Sequence, residues 1–140
     1  GKTDIVMMLN GALAGLVAIT AEPLTPGPIT AMFIGSIGAI IMYFGTKMLE
    51  SYGLDDVVGA IPVHMFAGIF GTLVVPLTNP DTSFGTQFIG TASVCIFSFG
   101  LSWATFTILK STVGLRISKA AEKLGTDKAE VGVTAYSIRD

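Results

Sequence analysis

One histidine, His64, is the side chain in this sequence whose chemistry stands out, because it lies in the middle of an uncharged run. The run extends from residue 57 to residue 77, between the acidic pair Asp55 and Asp56 and the next charged residue, Asp81. About 20 such residues suffice to cross a bilayer as a helix. An ionisable side chain at membrane depth is costly and usually faces a cavity or a bundle interior. His64 is therefore a candidate pathway residue; the alternative is a histidine hydrogen-bonded within a helix bundle.

The residues around His64 predict how its helix is built. Asp55 and Asp56 precede the uncharged run and can cap the first helical turn, where negative charge also suits the helix dipole. Pro62 has no backbone N–H, so the carbonyl of Val58 loses its helical partner close to the histidine. The sequence therefore predicts a membrane-crossing helix that bends around one polar group.

The composition argues against several classes of protein. One histidine, one cysteine (Cys95) and apolar runs without carboxylates cannot supply a zinc site or a nucleophile with its base and acid. We therefore predict that the chain is not an enzyme and holds no metal and no cofactor. The net charge is −2, whereas a nucleic-acid partner favours a basic surface, so we predict no nucleic-acid partner.

Four uncharged runs predict an all-α, polytopic helical bundle embedded in a lipid bilayer. The predicted spans cover about residues 5–21, 29–48, 57–77 and 82–112, and residues 113–140 form a water-exposed tail. In the first span, Gly11 and Gly15 form a G-x-x-x-G pair, which allows membrane helices to pack closely.

The basic residues predict the orientation of the bundle. The turns at residues 22–28 and 78–82 contain no Lys or Arg. All 8 basic residues fall on the opposite side: Lys2, Lys47, Lys110, Arg116, Lys119, Lys123, Lys128 and Arg139. The positive-inside rule makes that side cytoplasmic. We therefore predict a multi-pass protein of the cell membrane with a cytoplasmic C-terminal tail.

Three separated motifs carry a resemblance to a known family. They are Gly-Lys-Thr-Asp at residues 1–4 with Leu-Asn-Gly-Ala-Leu-Ala-Gly-Leu-Val-Ala-Ile-Thr at 9–20; Asp-Asp-Val-Val-Gly-Ala-Ile-Pro-Val-His at 55–64; and Gly-Leu-Arg-Ile-Ser at 114–118 with Leu-Gly-Thr-Asp at 124–127 and Ala-Tyr at 135–136. In this order they resemble the eighth span, the tenth span and the cytoplasmic tail of the ammonium transporter (Amt/Mep/Rh) family. The resemblance covers most of the chain.

The resemblance implies a fold and a function. The fold is an eleven-span bundle of two inverted five-span halves, of which this chain holds the last four spans, and it assembles as a homotrimer with one pore per subunit. Ammonium or ammonia crosses a narrow apolar pore in which two histidines face each other. The resemblance implies pore positions for five residues: His64 as the second histidine, Ala60 and Val63 near the pore wall, and Asn10 and Thr20 as polar positions of the eighth span. Five further residues are expected to have structural roles in helix capping, helix packing and the bend: Asp55, Asp56, Gly11, Gly15 and Pro62.

The sequence leaves alternatives open. An ammonium sensor could share this membrane fold and signal through its tail; a kinase or cyclase domain after Asp140 would favour it. A structural membrane subunit, in which His64 only holds helices together, is a second alternative. The resemblance also implies a PII-type regulator at the tail, but residues 131–133, Val-Gly-Val, depart from the usual His-Gly-Glu. Because the chain starts at Gly1, we expect it to be a piece of a longer protein.

Overall fold

The described part of the chain, residues 2–135 of the computed structural model, is helical and contains no strands. Gly1 of the first motif, Tyr136 of the tail motif and Arg139 lie outside the described residues. The helices are α1 (Ile5–Ile19), α2 (Pro28–Ser51), α3 (Ile61–Leu77), α4 (Phe84–Thr112) and α5 (Lys119–Leu124), and a π-helical turn follows at Asp127–Val131. The prediction of an all-α helical bundle is confirmed.

The helices begin where the sequence supplies a suitable first turn. The Asp4 carboxylate accepts a hydrogen bond from the Met7 N–H at 3.0 Å and so caps α1. Pro28 starts α2, since the fixed φ of proline suits the first helical position. The third apolar run becomes helical later than its first uncharged residue, because Val57 and Val58 lie in a turn ahead of α3.

Two of the helices, α2 and α4, are long and apolar enough to cross a membrane by length and composition, and α1 and α3 are shorter apolar helices. The third helix is irregular along its length. It consists of a π-helical segment at Ile61–Phe66, an α-helical segment at Ala67–Val74 and a 3-10 turn at Val75–Leu77. Single π turns of this kind occur frequently at functional sites.

Helices α1, α2 and α3 pack through small residues. A Cβ built on Gly15 would lie 3.1 Å from the Gly35 carbonyl oxygen, and one built on Gly38 would lie 2.6 Å from the Ala18 Cβ. A Cβ on Gly71 would collide with the Ala18 backbone. Small residues let membrane helices approach closely enough for backbone contact. The centre of the packing is a buried cluster of Ala14, Met42, Val63 and Ala67.

The two turns that lack basic residues meet at one end of this bundle. The Asn79 side-chain N–H donates to Glu22 Oε2 at 2.8 Å, and Glu22 Oε1 accepts from the N–H groups of Leu24 and Thr25 at 3.1 and 3.3 Å. These hydrogen bonds, that from Asn79 first, hold the pKa of the Glu22 carboxyl below its usual range. The contact places the turns at residues 22–28 and 78–82 on the same side of the bundle.

Residues up to Ile96 form one compact unit and residues from Phe97 onward a second. In the second unit, the Ser118 hydroxyl accepts from the Ala121 N–H at 3.2 Å and caps α5. Asp127 Oδ2 accepts from the Ala135 N–H at 2.8 Å, and this bond is the main cause of a lowered Asp127 pKa. Polar side chains thus cap α5 and the turn at Asp127–Val131, and neither of these two elements contains a buried residue.

Candidate functional site

His64 lies on the π-helical segment of α3, with its side chain exposed. The residues immediately before it, Pro62 and Val63, are fully buried. Ile61 and Met65, on the other hand, are 37% and 48% exposed, so the exposed surface around the histidine is apolar. Within residues 2–135 the imidazole makes no hydrogen bond. The arrangement presents one hydrogen-bonding side chain on an apolar helix surface that the other described residues leave uncovered.

The turn ahead of α3 is held by side chains on both sides. Asp56 Oδ1 accepts from the Ala60 N–H at 2.8 Å, and Asp56 Oδ2 accepts from the Ile61 N–H at 2.7 Å. The Asn10 side-chain N–H, from α1, donates to the Val58 carbonyl oxygen at 3.1 Å. That carbonyl is the one that Pro62 leaves without a helical donor.

The other residues expected at the pore occupy different environments. Ala60 is exposed like His64, whereas Val63 is 2% exposed and packs into the buried cluster of α1, α2 and α3. Asn10 is half-buried and bonds to the turn before α3. Thr20 caps the opposite end of α1, where its hydroxyl donates to the Val17 carbonyl oxygen at 2.7 Å. The structure therefore brings Asn10 next to the helix of His64 and leaves Thr20 at the far end of α1.

The residues expected to have structural roles also differ in what they contact. Asp55 is exposed, and of the acidic pair it is Asp56 that bonds to the helix N-terminus. A Cβ on Gly11 would meet the Met42 Cε at 3.6 Å, an ordinary van der Waals distance, whereas Gly15 faces the Gly35 backbone directly. Among the described residues, no group of three or more His, Cys, Asp or Glu side chains is placed to hold a metal ion.

Two features of this site carry little local signal in the sequence. Gly59 has a φ of +73°, a left-handed conformation that glycine adopts readily, and a Cβ there would lie 2.6 Å from the Asn10 Nδ2. The bond between Asn10 and Val58 joins residues 48 positions apart. Only the missing N–H of Pro62 indicates from the sequence that the Val58 carbonyl requires a donor from elsewhere.

The fold and the site together define a helical chain with two helices long and apolar enough to cross a membrane, whose single histidine lies on an apolar helix surface. Comparison with known proteins is specific. The family model described as Ammonium Transporter Family matches residues 1–136, and the chain belongs to this family. Members of the family are integral membrane proteins and transporters rather than enzymes, which confirms the prediction that the chain is not an enzyme.

Curated relatives cover nearly the whole chain. It is 39% identical to a protein named Ammonium transporter Amt2 from Archaeoglobus fulgidus, over 97% of this chain and 33% of that protein. It is 34% identical to a protein of the same name from Methanocaldococcus jannaschii, over 96% of this chain and 34% of the relative. A protein named Ammonium transporter from Corynebacterium glutamicum is 32% identical over 99% of this chain and 34% of its own length. The chain thus spans about a third of the length of these relatives.

Proposed function

We propose that the protein containing this chain conducts ammonium or ammonia across the cell membrane, and that His64 is the second member of a histidine pair in its pore. The single observation that carries this proposal is the position of His64, which is exposed on an apolar surface of α3 while Pro62 and Val63 are buried. Relatives named ammonium transporters support the choice of substrate.

The chemistry of an imidazole in an apolar pore separates ammonium from metal cations of similar size. A bare cation pays a large desolvation cost in apolar surroundings, and a potassium ion has no means of avoiding it. Ammonium can release a proton and cross as ammonia. In its neutral form an imidazole has one donor and one acceptor nitrogen, so it can hydrogen-bond ammonia and pass protons along.

We propose that parts of the transporter outside residues 1–140 supply the remaining pore wall. Helix α4 buries none of its side chains, and the surface around His64 is uncovered. The relatives are about three times longer than the aligned segment, in line with an upstream half that carries the first histidine. We propose that Ala60 lies beside His64 on the pore surface and that Val63 packs behind this surface, in the same helical turn. Asn10 and Thr20 are proposed as polar positions of the eighth span. The complete protein is proposed to assemble as a homotrimer.

The orientation and the tail complete the proposal. The Glu22–Asn79 bond joins the two turns that lack basic residues, which supports their placement on the outer side and a multi-pass topology with a cytoplasmic tail. The tail, residues 113–140, is proposed to contact neighbouring subunits or a soluble regulator of the PII type rather than the substrate.

The test is methylammonium uptake by the complete transporter in cells that lack their own ammonium transporters. His64→Ala removes the imidazole and leaves a cavity; His64→Phe fills the volume and lacks both nitrogens. We expect uptake to fall sharply in both variants at matched membrane expression. If His64→Phe retains the parent rate, the imidazole serves packing alone and the proposed relay is wrong.

A further inference from the structure

The turn ahead of α3 contains a backbone carbonyl, that of Val58, whose hydrogen-bond donor comes from α1. In a regular helix the carbonyl of Val58 would accept from the N–H of residue 62, but that residue is proline and has no N–H. The Asn10 side-chain amide donates to this carbonyl at 3.1 Å instead. Asn10 thus supplies the donor that Pro62 lacks, and backbone carbonyls in folded proteins are rarely left without a partner.

The backbone conformation beside Val58 is shaped to admit Asn10. Gly59 has a φ of +73°, and a Cβ built on it would approach the Asn10 Nδ2 to 2.6 Å. A side chain at position 59 would thus displace the amide from the Val58 carbonyl. On the other side of the turn, the two carboxylate oxygens of Asp56 accept hydrogen bonds from the N–H groups of Ala60 and Ile61. The turn is fixed from two directions.

The turn leads directly into the π-helical segment that carries His64. Val63 N–H donates to the Gly59 carbonyl oxygen at 3.1 Å, so the helical hydrogen bonds begin one residue after the carbonyl that Asn10 binds. Across the histidine, the Ala67 N–H is shared between the carbonyl oxygens of His64 and Pro62, the latter being a π-type bond. A change in the turn at Val58 and Gly59 therefore alters the register of the π segment that carries His64.

We infer that Asn10 is a positioning residue for His64, acting through the Val58 carbonyl and the turn at Gly59 rather than by contact with the substrate. This inference rests on the proposed function, since it assigns Asn10 a role in aligning the proposed pore histidine. The Asn10–Val58 hydrogen bond requires both the donor N–H of Asn10 and the absence of a side chain at Gly59.

The experiment measures initial uptake of methylammonium and of potassium by the complete transporter at matched membrane expression. Asn10→Asp has the same shape but, when ionised, lacks the donor; Asn10→Gln keeps a donor. We expect Asn10→Asp to lower methylammonium uptake by up to about a hundredfold, the order of loss that a misplacement of about 1 Å can cause. The ratio of potassium to methylammonium uptake should rise as well. Asn10→Gln should retain more uptake and more selectivity than Asn10→Asp.

Two glycines provide an independent test. Gly59→Ala should reproduce the Asn10→Asp phenotype, because its Cβ would displace the Asn10 amide. Gly53 is the matched control: its φ is +67°, so alanine is similarly strained there, but no heavy atom lies within 4 Å of the added Cβ. Gly53→Ala should transport and select like the parent.

For variants that reach the membrane poorly, the positioning role of Asn10 is tested on purified protein by hydrogen exchange. In purified protein, hydrogen exchange of the amides in residues 58–67 should be faster in Asn10→Asp and Gly59→Ala than in the parent and Gly53→Ala. Parent-like rates, selectivity and exchange in Asn10→Asp would overturn the positioning role. His64→Ala in the same series separates the two proposals: if it also transports like the parent, the pore role of His64 fails, whereas loss in His64→Ala alone refutes only the role of Asn10.

Discussion

Substitution of Gly38 by alanine should weaken the packing of α1 against α2 measurably. The added Cβ would lie 2.6 Å from the Ala18 Cβ and 2.9 Å from the Ala14 carbonyl oxygen. Carbon atoms pack best at about 3.5–4.0 Å, so the two helices would have to separate by roughly 1 Å. Overpacking of this kind costs about 1–3 kcal/mol. One of the two opposing atoms belongs to the backbone, so a simple change of rotamer cannot relieve the contact.

The same substitution also raises helix propensity, and a control variant removes this effect. Gly→Ala in a helix interior is favourable by about 1 kcal/mol. Gly90 lies in α4, and no heavy atom of the described residues comes within 4 Å of a Cβ added there, so Gly90→Ala gains the propensity without the contact. We expect Gly38→Ala to be less stable than Gly90→Ala by about 1–3 kcal/mol. The assay is thermal unfolding of the purified transporter in detergent. Equal unfolding temperatures for the two variants would show that α1 and α2 are not in contact through Gly38.

Two further predictions concern the outer turns. Because hydrogen bonds from Asn79 and the backbone lower the pKa of Glu22, its carboxylate stabilises the folded state above the unfolded pKa of about 4.3, and that stability is lost as the pH falls through the lowered folded pKa. The acid side of a plot of unfolding temperature against pH should therefore flatten in Asn79→Ala, and an unchanged plot would contradict the contact. To test the topology, single cysteines are introduced in a Cys95→Ser background at the outer positions Thr25 and Asp81 and at the inner positions Ser51 and Thr126. Only the outer cysteines should react with an impermeant thiol reagent added outside intact cells. Labelling of the inner cysteines instead would contradict the predicted topology.

The all-helical fold class could be predicted from the sequence because charge is nearly excluded from the apolar runs, whereas the short helix α5 in the tail was not predicted. Each run of uncharged residues contains a helix, and Pro28 marks the first residue of α2. A helix is shorter than its uncharged run where a capping residue sets the position at which the helix begins. Thus α3 begins at Ile61 rather than at residue 57, because Asp56 caps Ala60 and Ile61 instead of the residue directly after it.

The contacts that shape the candidate site could not be predicted, since they join distant parts of the chain. Pro62 indicates that the Val58 carbonyl lacks a donor, but nothing local identifies Asn10 as the residue that supplies one. Glu22 and Asn79 are likewise 57 positions apart, and only the packing of the helices brings their turns together. The π segment around His64 has no sequence period of its own, so a helical pattern alone does not distinguish it from a regular helix.

The role of His64 in selecting ammonium is tested most directly by the ratio of potassium to methylammonium uptake in the parent, His64→Ala and His64→Glu transporters at matched membrane expression. A glutamate at this position would place a negative charge in the pore and offset part of the desolvation cost of a metal cation. We therefore expect potassium uptake to appear in His64→Glu and methylammonium uptake to fall sharply in His64→Ala. If all three proteins take up methylammonium at the same rate and exclude potassium equally, His64 is a structural histidine and the proposed mechanism is wrong.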